Sequence, residues 1–259
     1  MEAQAPLPRW FTDLLAHRRW VHRTHPFPHV YVREVFDRRF YERLAAEFEK
    51  VSDPASGLFG PVAQGYSATG ANLTAIRDSP LEIFLSRAWH DLIAGVVGAR
   101  GAVTGDVEGS LHHHEPNSPR GWPHNDLAPA WFPDRVPGPG EVGLPAKDID
   151  LKSGARPDGV EARELVRAVA VLFYLGNGDW QPGHGGETSL FTAPDSAAPE
   201  SMVKVPPLNN SMIVFECAPR TWHTFAGGNT AARNSVVMWL HQPREQAVRR
   251  WGGTGIVDW

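Results

Sequence analysis

The sequence predicts an α+β, mainly β fold, with a helical N-terminal part over 1–100 followed by a strand-rich part over 101–245. Two observations point that way. Phe36, Phe40, Leu44 and Phe48 recur at i, i+4 spacing, which aligns one apolar stripe along a helix over 37–50. From about Ala102 onward the texture changes to short apolar runs separated by Gly, Pro and Asn, the pattern of many strands. At 259 residues one sizeable core is expected, so we read 1–259 as a single domain.

Taken in order, 26–33 is extended and β-branched and leads into the first helix. A second helix is signalled by Ser79-Pro80-Leu81-Glu82, where a hydroxyl N-cap precedes Pro at the first helical position and Glu follows three residues on. That helix would bury Leu81, Leu85, Trp89, Leu92 and Val96. The clearest strands are 168–175, 211–217 and 234–241. Between 133 and 159 lies a stretch rich in Pro, Gly and charge. A loop that long inside a domain is either a lid or a mobile insertion, and the sequence leaves both open.

Composition narrows the function classes. A formal net charge of -4 gives no electrostatic footprint for nucleic acid or an anionic membrane, and no uninterrupted apolar stretch marks a signal or an anchor. Cytoplasmic localisation is therefore the expectation. Cys217 is the sole cysteine, so neither an internal disulfide nor a cysteine-based zinc site can form, and its apolar run marks it as an inert buried thiol. Twelve histidines are more than a chain of this size usually carries, which directs attention to metal ligation.

The candidate centre is His124-Asn125-Asp126. On a strand, residues i and i+2 share a face, so an imidazole and a carboxylate can converge on one cation. Chance alone supplies roughly 0.6 of such a spacing in this composition, and His113-His114-Glu115 offers the same spacing with glutamate. Context separates the two. His223 follows a strand-like run and a turn, and Arg233 opens the next apolar strand ten residues later. Two histidines and one carboxylate on one face of an octahedral iron(II) leave three positions open. A guanidinium nearby suits a distal carboxylate, because its fork pairs bidentately and stays charged. Ser235 shares the face of Arg233 and could add a hydrogen bond; a surface ion pair is the competing reading of Arg233. On its own strand His112 would face with His114, and His113 the other way. The remaining histidines, among them His29, His90 and His184, read as structural.

These pieces resemble the prolyl-4-hydroxylase-like branch of the Fe(II)/2-oxoglutarate-dependent dioxygenase superfamily. The likeness rests on Pro26-Phe27-Pro28-His29-Val30-Tyr31-Val32, on Trp122-Pro123-His124-Asn125-Asp126 and on the run from Val171 to Trp180. It continues through Gly185-Gly186-Glu187 and His223 with Arg233, all in family order from about residue 26 to 241. The resemblance implies a double-stranded β-helix (jelly-roll) core with the N-terminal helices packed on one sheet. It also implies iron on His124, Asp126 and His223, and the oxoglutarate C5 carboxylate on Arg233, with Tyr174 and Ser235 as further donors. The family tends to carry a tyrosine ten residues before the first iron histidine; here that position is His114, whose imidazole could donate in its place.

The activity so implied uses Fe(II), 2-oxoglutarate and O2 to hydroxylate an unactivated C–H bond, releasing succinate and CO2. Because the carboxylate ligand is present, hydroxylation rather than halogenation is expected. Trp122, Arg120 and Trp131 flank the metal tripeptide and are candidate substrate contacts. With no repeat or docking module in view, a small molecule such as an amino acid or natural-product intermediate is the expected substrate, and a peptidyl proline the second. A cupin-like binding module, or a metalloenzyme needing no oxoglutarate, is the reading of a different class.

Overall fold

The computed structural model describes residues 6–99, 101–194 and 202–257. A short helix α1 (Arg9–Thr12) and strands β1 (Val21–Arg23) and β2 (His29–Arg33) precede helix α2 (Arg38–Ser52). Strands β3 (Gly60–Pro61) and β4 (Ala68–Asn72) follow, then helix α3 (Arg87–Val96). The β-rich part runs through β5 (Val107–His114), β6 (Pro129–Pro133), β7 (Ala162–Tyr174), β8 (Thr188–Phe191) and β9 (Val203–Val205). It ends in β10 (Ser211–Glu216), β11 (Trp222–Phe225), β12 (Arg233–Pro243) and helix α4 (Arg244–Trp251).

Helix α2 forms where the stripe predicts it. Asp37 caps it by accepting from the backbone N–H of Arg39 and Phe40, and Phe40, Leu44 and Phe48 are buried. Each such side chain contributes roughly 2 kcal/mol of burial. The second predicted helix is instead two pieces. A 3-10 helix spans Pro80–Leu85, Ser86 is extended (ψ 150°), and its hydroxyl caps α3 by accepting from Trp89 N–H. With a break at Ser86 the expected stripe does not continue in register: Trp89, His90, Ile93 and Ala94 are buried, while Leu92 and Val96 are only partly covered.

Nine strands make one large antiparallel sheet, in the order β1-β2-β10-β7-β12-β5-β4-β3 with β6 alongside β7, and three make a smaller one, β11-β8-β9. Alternation along the central strands divides the interior. Val169, Val171, Phe173, Val236 and Met238 join Phe36, Phe40, Phe84 and Trp89 in the core beneath the helices. Ala170, Leu172, Tyr174, Ile213, Phe215, Val237 and Trp239 point the other way, with Leu190 of the small sheet. Helices α1, α2 and α3 thus cover one face of the large sheet, and the other face looks toward the small sheet, with Ala247 of α4 buried on that side. No helix among the described residues is long and apolar enough to cross a membrane.

The register of β7 against β12 shifts at one point. Leu240 pairs with Val169 and His241 pairs with Arg167, so Ala168 is an extra residue in β7. Ala168 and Val169 both fall in the helix-side core. The bulge therefore turns the next side chain, Arg167, toward the small sheet. The segment after β6 is packed rather than loose. Gly143 pairs with Asp106, Leu151 carbonyl accepts from Trp131 N–H, and Arg87 and Arg163 donate to the carbonyls of Glu141 and Arg135, respectively.

Candidate active site

A cavity of about 430 Å³ opens between the two sheets. Its floor takes side chains from β5, β7 and β12, its opposite wall Thr188, His223 and Phe225, and its mouth the β3–β4 turn and Asp150–Lys152.

His124, Asp126 and His223 meet in this cavity. Their ligating atoms lie within 4.8 Å of one another, and among the described residues they are the one group of three or more that could hold a metal. His124 Nε2 is 3.6 Å from Asp126 Oδ1, and His223 Nε2 is 3.4 Å from Asp126 Oδ2. Donors on adjacent octahedral positions at about 2.1 Å from a metal would lie about 3 Å apart, so the donor set and its spacing fit a divalent ion. His124 Nδ1 lies 3.0 Å from the Trp122 carbonyl, the kind of contact that keeps the proton on Nδ1 and leaves Nε2 free to ligate.

The route to this convergence differs from the strand expected for His124-Asn125-Asp126. The tripeptide lies outside any strand. His124 forms an isolated antiparallel bridge with His223, through reciprocal backbone hydrogen bonds of 3.1 and 2.8 Å, and this sets the two imidazoles side by side. Asp126 is left-handed (φ 56°), which swings its carboxylate back between them; aspartate tolerates that region better than most residues. Trp239 Nε1–H donates to Asp126 Oδ2 at 2.9 Å. Burial would raise the Asp126 pKa, but the neighbouring positive charge, that of Arg167 included, and the Trp239 hydrogen bond outweigh it and hold the carboxyl below its usual range. Burial is the main reason His223 is driven down to about 3, so it is neutral and ready to ligate.

Arg233 is 4% exposed. Its guanidinium donates to Ser235 Oγ (2.8 Å) and Thr188 Oγ1 (3.1 Å) and lies against the Tyr174 and Phe225 rings. Among the described residues no carboxylate pairs with it, and its Nε–H has no partner. Tyr174 is fully buried behind this arrangement, its hydroxyl 2.7 Å from Thr188 Oγ1, and it does not line the cavity. His114 sits opposite Arg233 in the β5–β12 register, but its ring stacks on Phe225 (3.9 Å, 23°), neither nitrogen has a partner, and it too is absent from the cavity wall. His112 does line the wall, 3.0 Å from Ser110 Oγ. His113 turns away to Asn234 and Glu115, so the rival His113–Glu115 pair is remote from the other ligands.

The three flanking candidates separate. Trp122 stands at the mouth, half-exposed, beside Tyr66. Arg120 is exposed and reaches toward Met202 instead. Trp131 is spent on the 134–161 segment. Its indole covers Gly154, where any Cβ would come within 2.5 Å, and Arg156 stacks on it. Neither Arg120 nor Trp131 lines the cavity.

Sequence reasoning missed several wall residues. Arg167 and Glu108 form a buried ion pair (2.8 Å) next to Asp126, which lies 3.7 Å from Arg167 Nη1. Burial opposes ionisation of Glu108, yet Arg167 and His241 pull its carboxyl down to about 2. Thr188, Trp239 and Tyr66 were also missed. Glu108 shares the alternation of Ser110 and His112 and could have been found from it; Arg167 could not, because its orientation depends on the bulge.

Residues 156–241, which carry His223 and Arg233, match the family model described as the 2OG-Fe(II) oxygenase superfamily. A Pseudomonas putida prolyl-4-hydroxylase superposes with a TM-score of 0.56 at 18% identity, covering 83% of this chain and 92% of that one. A Trichoplax adhaerens prolyl hydroxylase, solved with a hypoxia inducible factor peptide fragment, gives 0.57 at 16% identity, covering 85% and 86%. A non-heme alpha-ketoglutarate-dependent epimerase from nogalamycin biosynthesis gives 0.51 at 12% identity, covering 83% and 77%. At these identities the likeness is one of fold, the double-stranded β-helix. No curated protein sequence matches the chain.

Proposed function

We propose that this chain, whose residues 156–241 match the 2OG-Fe(II) oxygenase family model, is an iron(II)- and 2-oxoglutarate-dependent oxygenase that hydroxylates a C–H bond of a small molecule. The observation that carries the reading is Arg233, a buried cation with no carboxylate partner among the described residues, in the same cavity as a His-Asp-His cluster. An unpaired buried charge costs several kcal/mol, and a dicarboxylate spanning from the metal cluster to Arg233 would supply the missing anion. A cupin-like binding module has no comparable use for that guanidinium.

His124, Asp126 and His223 would hold the iron and Arg233 the distal carboxylate of oxoglutarate. When bound, iron(II) and oxoglutarate would supply the electrons that activate O2, one oxygen atom being retained in the succinate released with CO2 and the other going into the substrate C–H bond. The chain's own residues position iron and cosubstrate. Ser235 and Thr188 accept from the Arg233 guanidinium and fix its plane, with Tyr174 bracing Thr188 from behind. Trp239 orients the Asp126 carboxylate. A small-molecule substrate suits a cavity of about 430 Å³ narrowed at the mouth by Trp122 and the 134–161 segment. Proline-containing peptides form the second arm of a substrate screen.

The test is anaerobic addition of iron(II) and then oxoglutarate, followed by a succinate assay on admission of oxygen. A visible charge-transfer band and oxoglutarate-dependent succinate are expected. Arg233→Ala should retain iron and lose both; retention of full turnover by that variant would overturn the cosubstrate assignment.

A further inference from the structure

The resemblance places two hydroxyl or ring donors around the cosubstrate, at Tyr174 and at position 114. In this molecule neither faces the cavity. Tyr174 is sealed behind Thr188, and His114 is stacked on Phe225 with both nitrogens unpartnered. Of the chain's four tyrosines, Tyr66 alone lines the cavity.

Tyr66 comes from a part of the chain with no sequence signal for the site, the turn between β3 and β4. Strand β4 pairs with β5, setting Ala68 opposite His114, so the turn that precedes it overhangs the cavity end of β5. The Tyr66 ring meets His114 edge-on at 5.4 Å and Trp122 at 5.1 Å. It also packs on the backbone at Gly121, where a Cβ would come within 3.0 Å of the ring, so any larger residue at 121 would displace it. Its ring lines the same cavity as Arg233 and Asp126. Among the described residues its hydroxyl takes no hydrogen bond, so the donor is uncommitted.

We propose that Tyr66 is a cosubstrate-binding residue: its hydroxyl donates to the oxoglutarate held between Arg233 and the metal cluster, replacing from a neighbouring turn the donor that position 114 does not present. The proposal rests on the oxygenase reading above. It assigns the β3–β4 turn to the cosubstrate rather than to the substrate alone.

The experiment is Tyr66→Phe, which keeps the ring and its contacts with His114 and Trp122 and deletes only the hydroxyl. Iron-loaded wild-type and variant proteins are titrated with oxoglutarate under nitrogen, and the dissociation constant is read from the visible charge-transfer band. Loss of a hydrogen bond to a charged acceptor predicts roughly a 10- to 100-fold weaker oxoglutarate complex. Iron affinity and thermal midpoint should be unchanged. In turnover, KM for oxoglutarate should rise by a similar factor while kcat at saturating oxoglutarate stays within about twofold. If the wild type shows no oxoglutarate-dependent band, the oxygenase reading itself fails. If the wild type binds and Tyr66→Phe binds equally well, that reading stands and this inference is overturned. A variant that loses iron affinity or stability, or that raises only the KM of the oxidised substrate, also overturns it.

Discussion

Arg167→Met tests the electrostatic construction of the cavity floor. Arg167 Nη2 lies 2.8 Å from Glu108 Oε1, its Nη1 lies 3.7 Å from Asp126 Oδ1, and its guanidinium covers the Trp239 ring at 3.8 Å. Methionine keeps much of the side chain's length and apolar packing but leaves the Glu108 carboxylate buried with only His241 beside it, at 3.6 Å. Stranding one member of a buried pair typically costs about 3–5 kcal/mol. The titration of Glu108 points the same way: although burial pushes its carboxyl up, Arg167 and His241 hold it down to about 2. For a chain of this size 1 kcal/mol moves Tm by about 2–4 °C, so the variant should melt about 10 °C lower at neutral pH, by circular dichroism or urea denaturation. Adding Glu108→Gln should recover much of the loss, because no carboxylate then remains unpaired at 108. The sign of the pH dependence is fixed as well. A carboxyl whose pKa falls on folding stabilises above its unfolded value, so the gap between wild type and variant should be full above pH 4.5 and shrink as the pH falls toward 2. An Arg167→Met protein within about 1 kcal/mol of wild type, or a double variant no more stable than the single one, would refute the reasoning.

Two further expectations follow from the same cavity. Trp239→Phe deletes the 2.9 Å donor to Asp126 Oδ2; iron affinity, measured by competition with a chelator, should fall by roughly 10- to 100-fold with little change in the oxoglutarate requirement. In metal-free protein, burial above all holds His112 and His223 at about 3 and His114 at about 2, against an ordinary 6.5. Unfolding lets all three take up protons, so stability is complete above pH 6.5 and declines as the pH falls below it. Three protons together give a loss of about 3–4 kcal/mol between pH 6 and 5, and a flat urea midpoint across that range would refute their neutral burial.

Local signals carried the fold a long way. The stripe at 36, 40, 44 and 48 and the Asp37 cap act within one helix, and the apolar runs that became β7, β10 and β12 are long enough to be buried whatever their partners. The capping signal at Ser79 misled because it describes a helix start without fixing its type or length. The chain used it for a 3-10 helix, and a second hydroxyl at Ser86 started the α-helix. Cys217 is the inert thiol expected, since burial raises its pKa well above the ordinary value.

The site divides along a similar line, between residues whose orientation follows from strand alternation and residues placed by irregular backbone. Arg233 with Ser235, and His112 against His113, face as period 2 dictates, which is why a pattern in one strand was enough to set them. The metal tripeptide reached its expected grouping by another means: a single bridge to His223 and a left-handed Asp126 do what a strand was expected to do. Residue type was informative there and local conformation was not. Arg167 shows the opposite case. Counting inward from Tyr174 by twos gives Leu172, Ala170 and Ala168, which puts Arg167 under the helices; one bulged residue reverses that and brings a cation within 3.7 Å of Asp126. A bulge is set by the partner strand and leaves no composition signal in its own. Tyr66 is a stronger instance, because its place depends on β4 pairing with β5 across some forty residues of intervening chain. The residues that hold the cation cluster together were therefore legible, whereas those that tune and complete it were set by pairing geometry.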